Sequence, residues 1–450
     1  MMIKITRFPI RSLAMLAVIV PALSGCGGIL DDWFGEAENA PLPGDRVAVL
    51  LHERTISADP DLADANILLP APFLNADWPQ AGGYANHAMH HLQINDTLEE
   101  QWSSDIGAAA NDEQRYTSEP IVAGGRVFAM DSESVVIAFD AETGDELWDA
   151  ELTPDEEDDG HIGGGLASDQ GLVFATTGFG HVVALRADTG ERAWTVTGLA
   201  PMRTAPTVRG GRVFAVAIDN SLVALNAETG EELWQHESIA EVANILGGAS
   251  PAEDEGVLIV PYSSGELVAL RVDTGRVLWT ESLASGRRTD VISGLSHIRG
   301  RPIIDRGMVI AISHSGLMAA FELRSGRRIW ERRIGGYNNP WVVGDFIYVL
   351  TPDAEIISVS RTDGRIYWVR GLPRFEDEED KTDPIVWTGP LVASDRLIVA
   401  GSHGEAWALS PYSGNLLGTL EMPDGVSVPP IVANGALYFL ADNAELVAYR

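Results

Sequence analysis

One fixed register recurs eight times along this chain and leaves it few folds to choose from. Its first mark is Pro120, Leu166, Pro206, Pro251, Pro302, Pro340, Pro390 and Pro430. Exactly one small residue follows each mark 18 positions later: Ala138, Ala184, Ala224, Ala269, Ala320, Ser358, Ala408 and Ala448. Six positions further stand Gly144, Gly190, Gly230, Gly275, Gly326, Gly364 and Gly414. Four beyond the first six glycines come Trp148, Trp194, Trp234, Trp279, Trp330 and Trp368. A period of this size means stacked copies of one supersecondary unit, each too small to bury its own apolar face.

Within a unit, apolar runs rich in Val, Ile, Phe and Tyr are cut by turn residues. Gly124-Gly125, Gly210-Gly211 and Asn434-Gly435 mark the hairpin corners. The runs have strand length and lack the helical period. Four short strands per unit predict the blade of a propeller, so the chain is expected to be all-β with eight blades over residues 78–450. The Thr-Gly turn then sets the Trp flat across the neighbouring blade, where burial of one indole contributes about 3 kcal/mol or more.

The eighth unit stops at Arg450, two residues past Ala448, before any Trp strand. Trp102 lies 46 residues before Trp148, so the segment 98–102 is expected to supply the missing strand and close the ring, hiding sheet edges. The seventh unit has Leu416, Leu417 and Gly418 where Trp is due, and its seam is expected to pack differently.

Residues 1–26 read as an export signal. Lys4, Arg7 and Arg11 precede an apolar run from about Leu13 to Leu23, too short to span a bilayer. The run ends in Leu23-Ser24-Gly25-Cys26, which resembles a bacterial lipobox, and Cys26 is the single cysteine of the sequence. The resemblance implies that Cys26 becomes an acylated N-terminus. Gly27 after it, rather than Asp, implies sorting to the outer membrane with the protein facing the periplasm. Residues 27–77 read as a flexible tether, holding Pro41, Pro43, Pro60, Pro70 and Pro72 among small and charged residues.

A formal charge of −34 becomes −37 once Lys4, Arg7 and Arg11 are removed, which argues against nucleic acid and against adhesion to an anionic surface. The acidic runs 155–159 and 376–380 lack the spacing of a calcium loop and read as solvated loops. His87, His90 and His91 invite a metal reading, but no cysteine or close carboxylate supports it; they read as polar contacts in a segment packed under the propeller. No metal or cofactor is expected.

The repeat, with its Ala-x-x-x-x-Thr-Gly-x-x-x-Trp core, resembles the pyrroloquinoline-quinone-type propeller superfamily. With the lipobox and the blade count, the chain resembles the BamB family of outer-membrane lipoproteins in particular. The resemblance implies a non-catalytic scaffold of the β-barrel assembly machinery. Its partners would be a BamA-like, POTRA-bearing outer-membrane protein, other subunits of that assembly and unfolded barrel clients added at blade edges. In the family, an apolar-Arg stretch leading into Ala-Pro-Thr touches the POTRA domains, and Pro201-Met-Arg-Thr-Ala-Pro-Thr207 matches it. Met202 and Arg203 inherit that role, since arginine binds carboxylates through a planar fork. The loop before the fifth blade, Ser296 to Pro302, departs from the family's acidic pattern, so His297, Arg299 and Arg301 would meet a partner with inverted charge, or Asp290 would replace the acid. The rival reading is a quinone-dependent dehydrogenase. Such enzymes carry a vicinal cysteine pair and long roofing loops, neither of which this sequence supplies.

Overall fold

The computed structural model describes residues 56–62, 65–110, 116, 118–154, 163–239, 248–284 and 297–450. Residues 56–450 form one compact unit. It contains eight four-stranded antiparallel sheets in chain order, the eight-bladed propeller expected. The first blade runs through Ile121–Ala123, Arg126–Met130, Val135–Asp140 and Glu146–Glu151, and the next six repeat this inner-to-outer order. A short hairpin, Phe375–Asp377 with Thr382–Pro384, stands between the sixth and seventh blades.

Strand register explains the second mark of the repeat. Between third and fourth strands, Ala138 faces Trp148, Ala184 faces Trp194, Ala224 faces Trp234, and Ala269 faces Trp279. Ala320 faces Trp330 and Ser358 faces Trp368. A bulge follows each small residue, re-aiming the strand beyond it. A large side chain opposite the indole would push it off the sheet, so these positions stay small.

The glycines receive the indoles of the preceding blade. A Cβ built on Gly190 would lie 2.7 Å from Trp148, and one on Gly326 would lie 2.6 Å from Trp279. These corners also have a left-handed backbone, with φ of 73° and 69°, so glycine is needed twice over. Each indole N–H donates to a carbonyl of the same turn, Trp148 to Ala187 at 3.2 Å and Trp279 to Leu323 at 2.8 Å. Thus the third and fourth marks are the two halves of one interblade joint.

The eighth sheet takes its outer strand from the N-terminal side, because Glu100–Asp105 pairs antiparallel with Glu445–Tyr449. This strand begins two residues later than the expected 98–102 segment and continues through Asp105. Trp102 faces Ala448, the same register as in the other blades, and packs on Gly144 of the first blade. The joint between seventh and eighth blades has Gly418 opposite Ala408 and no indole. There Leu416 and Leu417 are 46% and 57% exposed.

A strap covers one face of the ring. In chain order Asn75 donates to Val432 O, Trp78 bonds Val122 in both directions, and Pro79 O accepts from Ser168 N. The Gln80 amide pairs with Val208, Ala85 O accepts from Glu253 N, and Asn86 O accepts from Ile304 N. Finally His90 O accepts from the Trp341 indole, and Leu92 N donates to Val392 O. The strap therefore visits all eight blades in circular order and uses innermost backbone groups that would otherwise lack partners. Contacts with the propeller also begin earlier than residue 78. Asp59 N donates to Ile366 O, and Phe73 N to His91 O within the strap. These described residues before 78 therefore bond to the propeller and the strap, whereas residues 27–55 of the expected tether lie outside the described residues.

Candidate functional site

Opposite the strap, the residues that lead into each innermost strand line a central funnel. Side chains alternate along such an extended lead, so positions three and one before the repeat's first mark form successive rings. The outer ring includes Arg203, Gly248, Arg299, Tyr337, Trp387 and Ser427, which line one cavity of about 140 Å³. Glu119, Arg301 and Asn339 of the inner ring line it from below.

Arg301 and Glu119 close the funnel floor. Their side chains are 11% and 4% exposed, with Arg301 Nη1 2.5 Å from Glu119 Oε1. Glu119 Oε2 accepts the Gly82 N–H of the strap at 3.1 Å. Beneath the pair, His87 bonds the Pro302 carbonyl through Nδ1 at 2.8 Å. Burial, then the nearby Arg301 charge, holds the His87 pKa down to about 3. This ring stays neutral at ordinary pH and acts as a strap contact.

His91 is also a structural contact, with Nδ1 2.6 Å from Pro70 O and Nε2 accepting Asp395 N–H at 2.9 Å. No cluster of three or more His, Cys, Asp or Glu suited to a metal occurs among the described residues. In the acidic turn at 376–380, Asp377 accepts the N–H groups of Glu379 and Asp380, and Glu378 accepts that of Arg374. Those carboxylates cap their own turn. The run 155–159, Asp290 and Cys26 lie outside the described residues.

The expected partner contacts divide. Met202 is only 1% exposed, in the core between second and third blades, with its N–H on Thr177 O. His297 is 7% exposed, and burial beside Arg299 and His314 lowers its pKa to about 4. Neither side chain offers surface to a partner, so both lose the contact role expected for them. Arg301 is likewise committed to Glu119. Arg203 and Arg299 remain half-buried at the rim. Arg203 Nε is buried without a hydrogen-bond partner among the described residues. The Arg299 guanidinium sits 5.5 Å over the Tyr337 ring, a cation–π arrangement.

The floor pair was missed in the sequence, although a signal was present. Glu119 and Arg301 both stand immediately before the first mark, in the first and fifth of eight units. Units four apart in an eight-membered ring face each other across its axis. Opposite charges at that separation therefore predict a bridge across the funnel.

Comparison with known proteins gives a consistent family. Residues 93–162 and 132–370 match the family model described as outer membrane protein assembly factor BamB. The protein of that name from Alkalilimnicola ehrlichii is 33% identical over 350 residues, covering 78% of this chain and 87% of its own length. Among solved structures, BamB from Moraxella catarrhalis superposes with a TM-score of 0.67 at 19% identity, covering 79% of this chain and all of that one. A europium-containing methanol dehydrogenase gives 0.65 at 15% identity, over 81% of this chain and 89% of its own. At such identities the two structures establish a shared fold and nothing about chemistry.

Proposed function

The chain belongs to the BamB family of outer membrane protein assembly factors, and from that premise we propose that it is a non-catalytic scaffold that docks on the POTRA domains of a barrel-inserting partner. Arg203 carries this reading. Its guanidinium stands at the funnel rim, half-buried, with Nε unpaired among the described residues. A partner carboxylate would satisfy it as a charge-assisted fork. A rigid ring that holds such rim residues at fixed angles suits docking.

The rim composition supports a binding role over quinone chemistry. A calcium-assisted quinone needs several carboxylate or amide oxygens around the metal. Among the described residues lining the funnel the one carboxylate, Glu119, is already held by Arg301 and by Gly82 N–H, and the Asn339 amide oxygen by the Arg301 backbone N–H, which leaves Asn338 as the remaining amide. The residues present do not fit that cofactor.

Truncating one member of a desolvated charge pair costs about 2 to 5 kcal/mol, or roughly 30-fold to several-thousand-fold in Kd. Arg203→Ala is therefore expected to abolish recovery of a POTRA-bearing barrel when the tagged full chain is purified from detergent-solubilised membranes. Its melting temperature should stay within a few degrees of wild type. Recovery at the wild-type level would place the interface elsewhere. Loss of the fold would make Arg203 a structural residue.

We assign Cys26 as the lipidated anchor on the periplasmic side of the outer membrane. Two or more acyl chains suffice for stable attachment. Cys26→Ser should leave the washed membrane fraction while keeping its fold, and retention there at wild-type levels would refute the anchor.

A further inference from the structure

Three guanidinium groups converge on one funnel in a protein whose formal charge is −34. Against Arg203, Arg299 and Arg301 the described lining sets one carboxylate, Glu119. Glu119 is spent on Arg301, which leaves two cations without counter-charge among the described residues. Arg301 retains a buried Nε with no hydrogen-bond partner, and Arg203 Nε is in the same condition. Arg299 has the Tyr337 ring beneath it and no carboxylate among its described contacts.

Burying cations without a counter-ion is expensive, because desolvation is uncompensated. Burial lowers the Arg299 pKa, and the charge of Arg301 adds to the effect. Asn339 lines the same cavity, its side-chain oxygen accepting the backbone N–H of Arg301 at 2.8 Å, so its amide nitrogen remains as a donor. The cavity volume of about 140 Å³ is several times the roughly 30 Å³ that a water molecule occupies in the liquid. That is room for a compact anion with its own oxygens in several directions.

We propose that the funnel is a binding site for a small oxyanion, of the inorganic phosphate or short dicarboxylate class, held by Arg203, Arg299 and Arg301 with the Asn339 amide. Arginine forks suit such ligands because two N–H donors meet two oxygens at once. The anion supplies the charge the lining lacks, and it lies on the ring axis, where it ties together the third, fifth and sixth blades. The site does not depend on the docking role of Arg203: anion binding to the isolated protein is measured without any partner.

The test is thermal unfolding of the purified, detergent-solubilised full chain at low ionic strength. Sodium phosphate and sodium succinate are titrated against sodium chloride at matched ionic strength. Phosphate or succinate is expected to raise the melting temperature saturably, beyond chloride. Arg299→Gln should weaken the half-saturating concentration at least tenfold, and Arg299→Lys, which keeps charge and loses the fork, should also weaken it. Arg126→Gln, on the strap face, should respond as wild type. A dihexanoyl phosphatidate arm separates sources: a stronger response to it than to phosphate keeps the site and assigns its anion to a lipid headgroup. If all salts act alike at equal ionic strength, or if both Arg299 variants respond as wild type, the site does not exist. That outcome covers neutralisation by the chain's own carboxylates and leaves the partner experiment unaffected.

Discussion

Trp279→Ala is expected to lower the unfolding free energy by about 3 to 5 kcal/mol, the usual range for emptying a buried aromatic site. Three losses combine. The indole is 8% exposed and stacks on Phe321 at 6.0 Å between ring centroids. Its N–H donates to Leu323 O at 2.8 Å, and that carbonyl would lose its partner in a buried place. The third loss is the cavity over Gly326, which cannot close easily because the glycine corner is fixed by its left-handed φ of 69°. Gly326→Ala attacks the same joint from the other side, since its Cβ would meet the ring at 2.6 Å. Leu417→Ala is the control: at 57% exposure in the seam without an indole, it should change stability by less than about 0.5 kcal/mol. Urea unfolding followed by circular dichroism checks all three. A loss under about 1 kcal/mol for Trp279→Ala would mean that the docked indole does not hold the seam.

Much of this architecture was legible because each repeated residue answers one local demand. The small residue faces the indole across two strands, the glycine receives the indole from the next blade, and Trp102 completes the series from the N-terminal side. Those demands recur at fixed offsets within each unit, so the sequence displays the small residue eight times and the glycine and the indole seven times each. The strap was legible only as a packed segment. Most of its contacts run through its own backbone groups, such as Pro79 O, Ala85 O and Asn86 O, which place little requirement on side-chain type. Met202 misled for a related reason. A loop position can match a contact motif while its side chain turns inward, and direction is set there by alternation within the lead to the inner strand. Arg203 and Arg299 lie on the funnel side of that alternation, whereas Met202 is in the interblade core.

The bridge across the funnel floor carries the second large expectation. Glu119 and Arg301 are nearly enclosed, and each is the other's counter-ion. Removing one partner strands a charge, so Arg301→Met and Glu119→Leu should each cost about 3 to 5 kcal/mol. The costs differ in kind. Arg301→Met leaves Glu119 with the Gly82 N–H alone, whereas Glu119→Leu leaves Arg301 beside Arg299 and Arg203 in a funnel with no carboxylate among its described lining. The double variant Glu119→Leu/Arg301→Met removes both charges and fills the floor with apolar atoms, which is often neutral relative to a buried ion pair. It should recover most of the lost stability, giving a coupling energy well above the few tenths of a kcal/mol seen for independent sites. Urea unfolding of the four proteins closes the cycle. If the two single losses simply add in the double variant, the charges act separately, and the strap and blade packing hold the axis without the bridge.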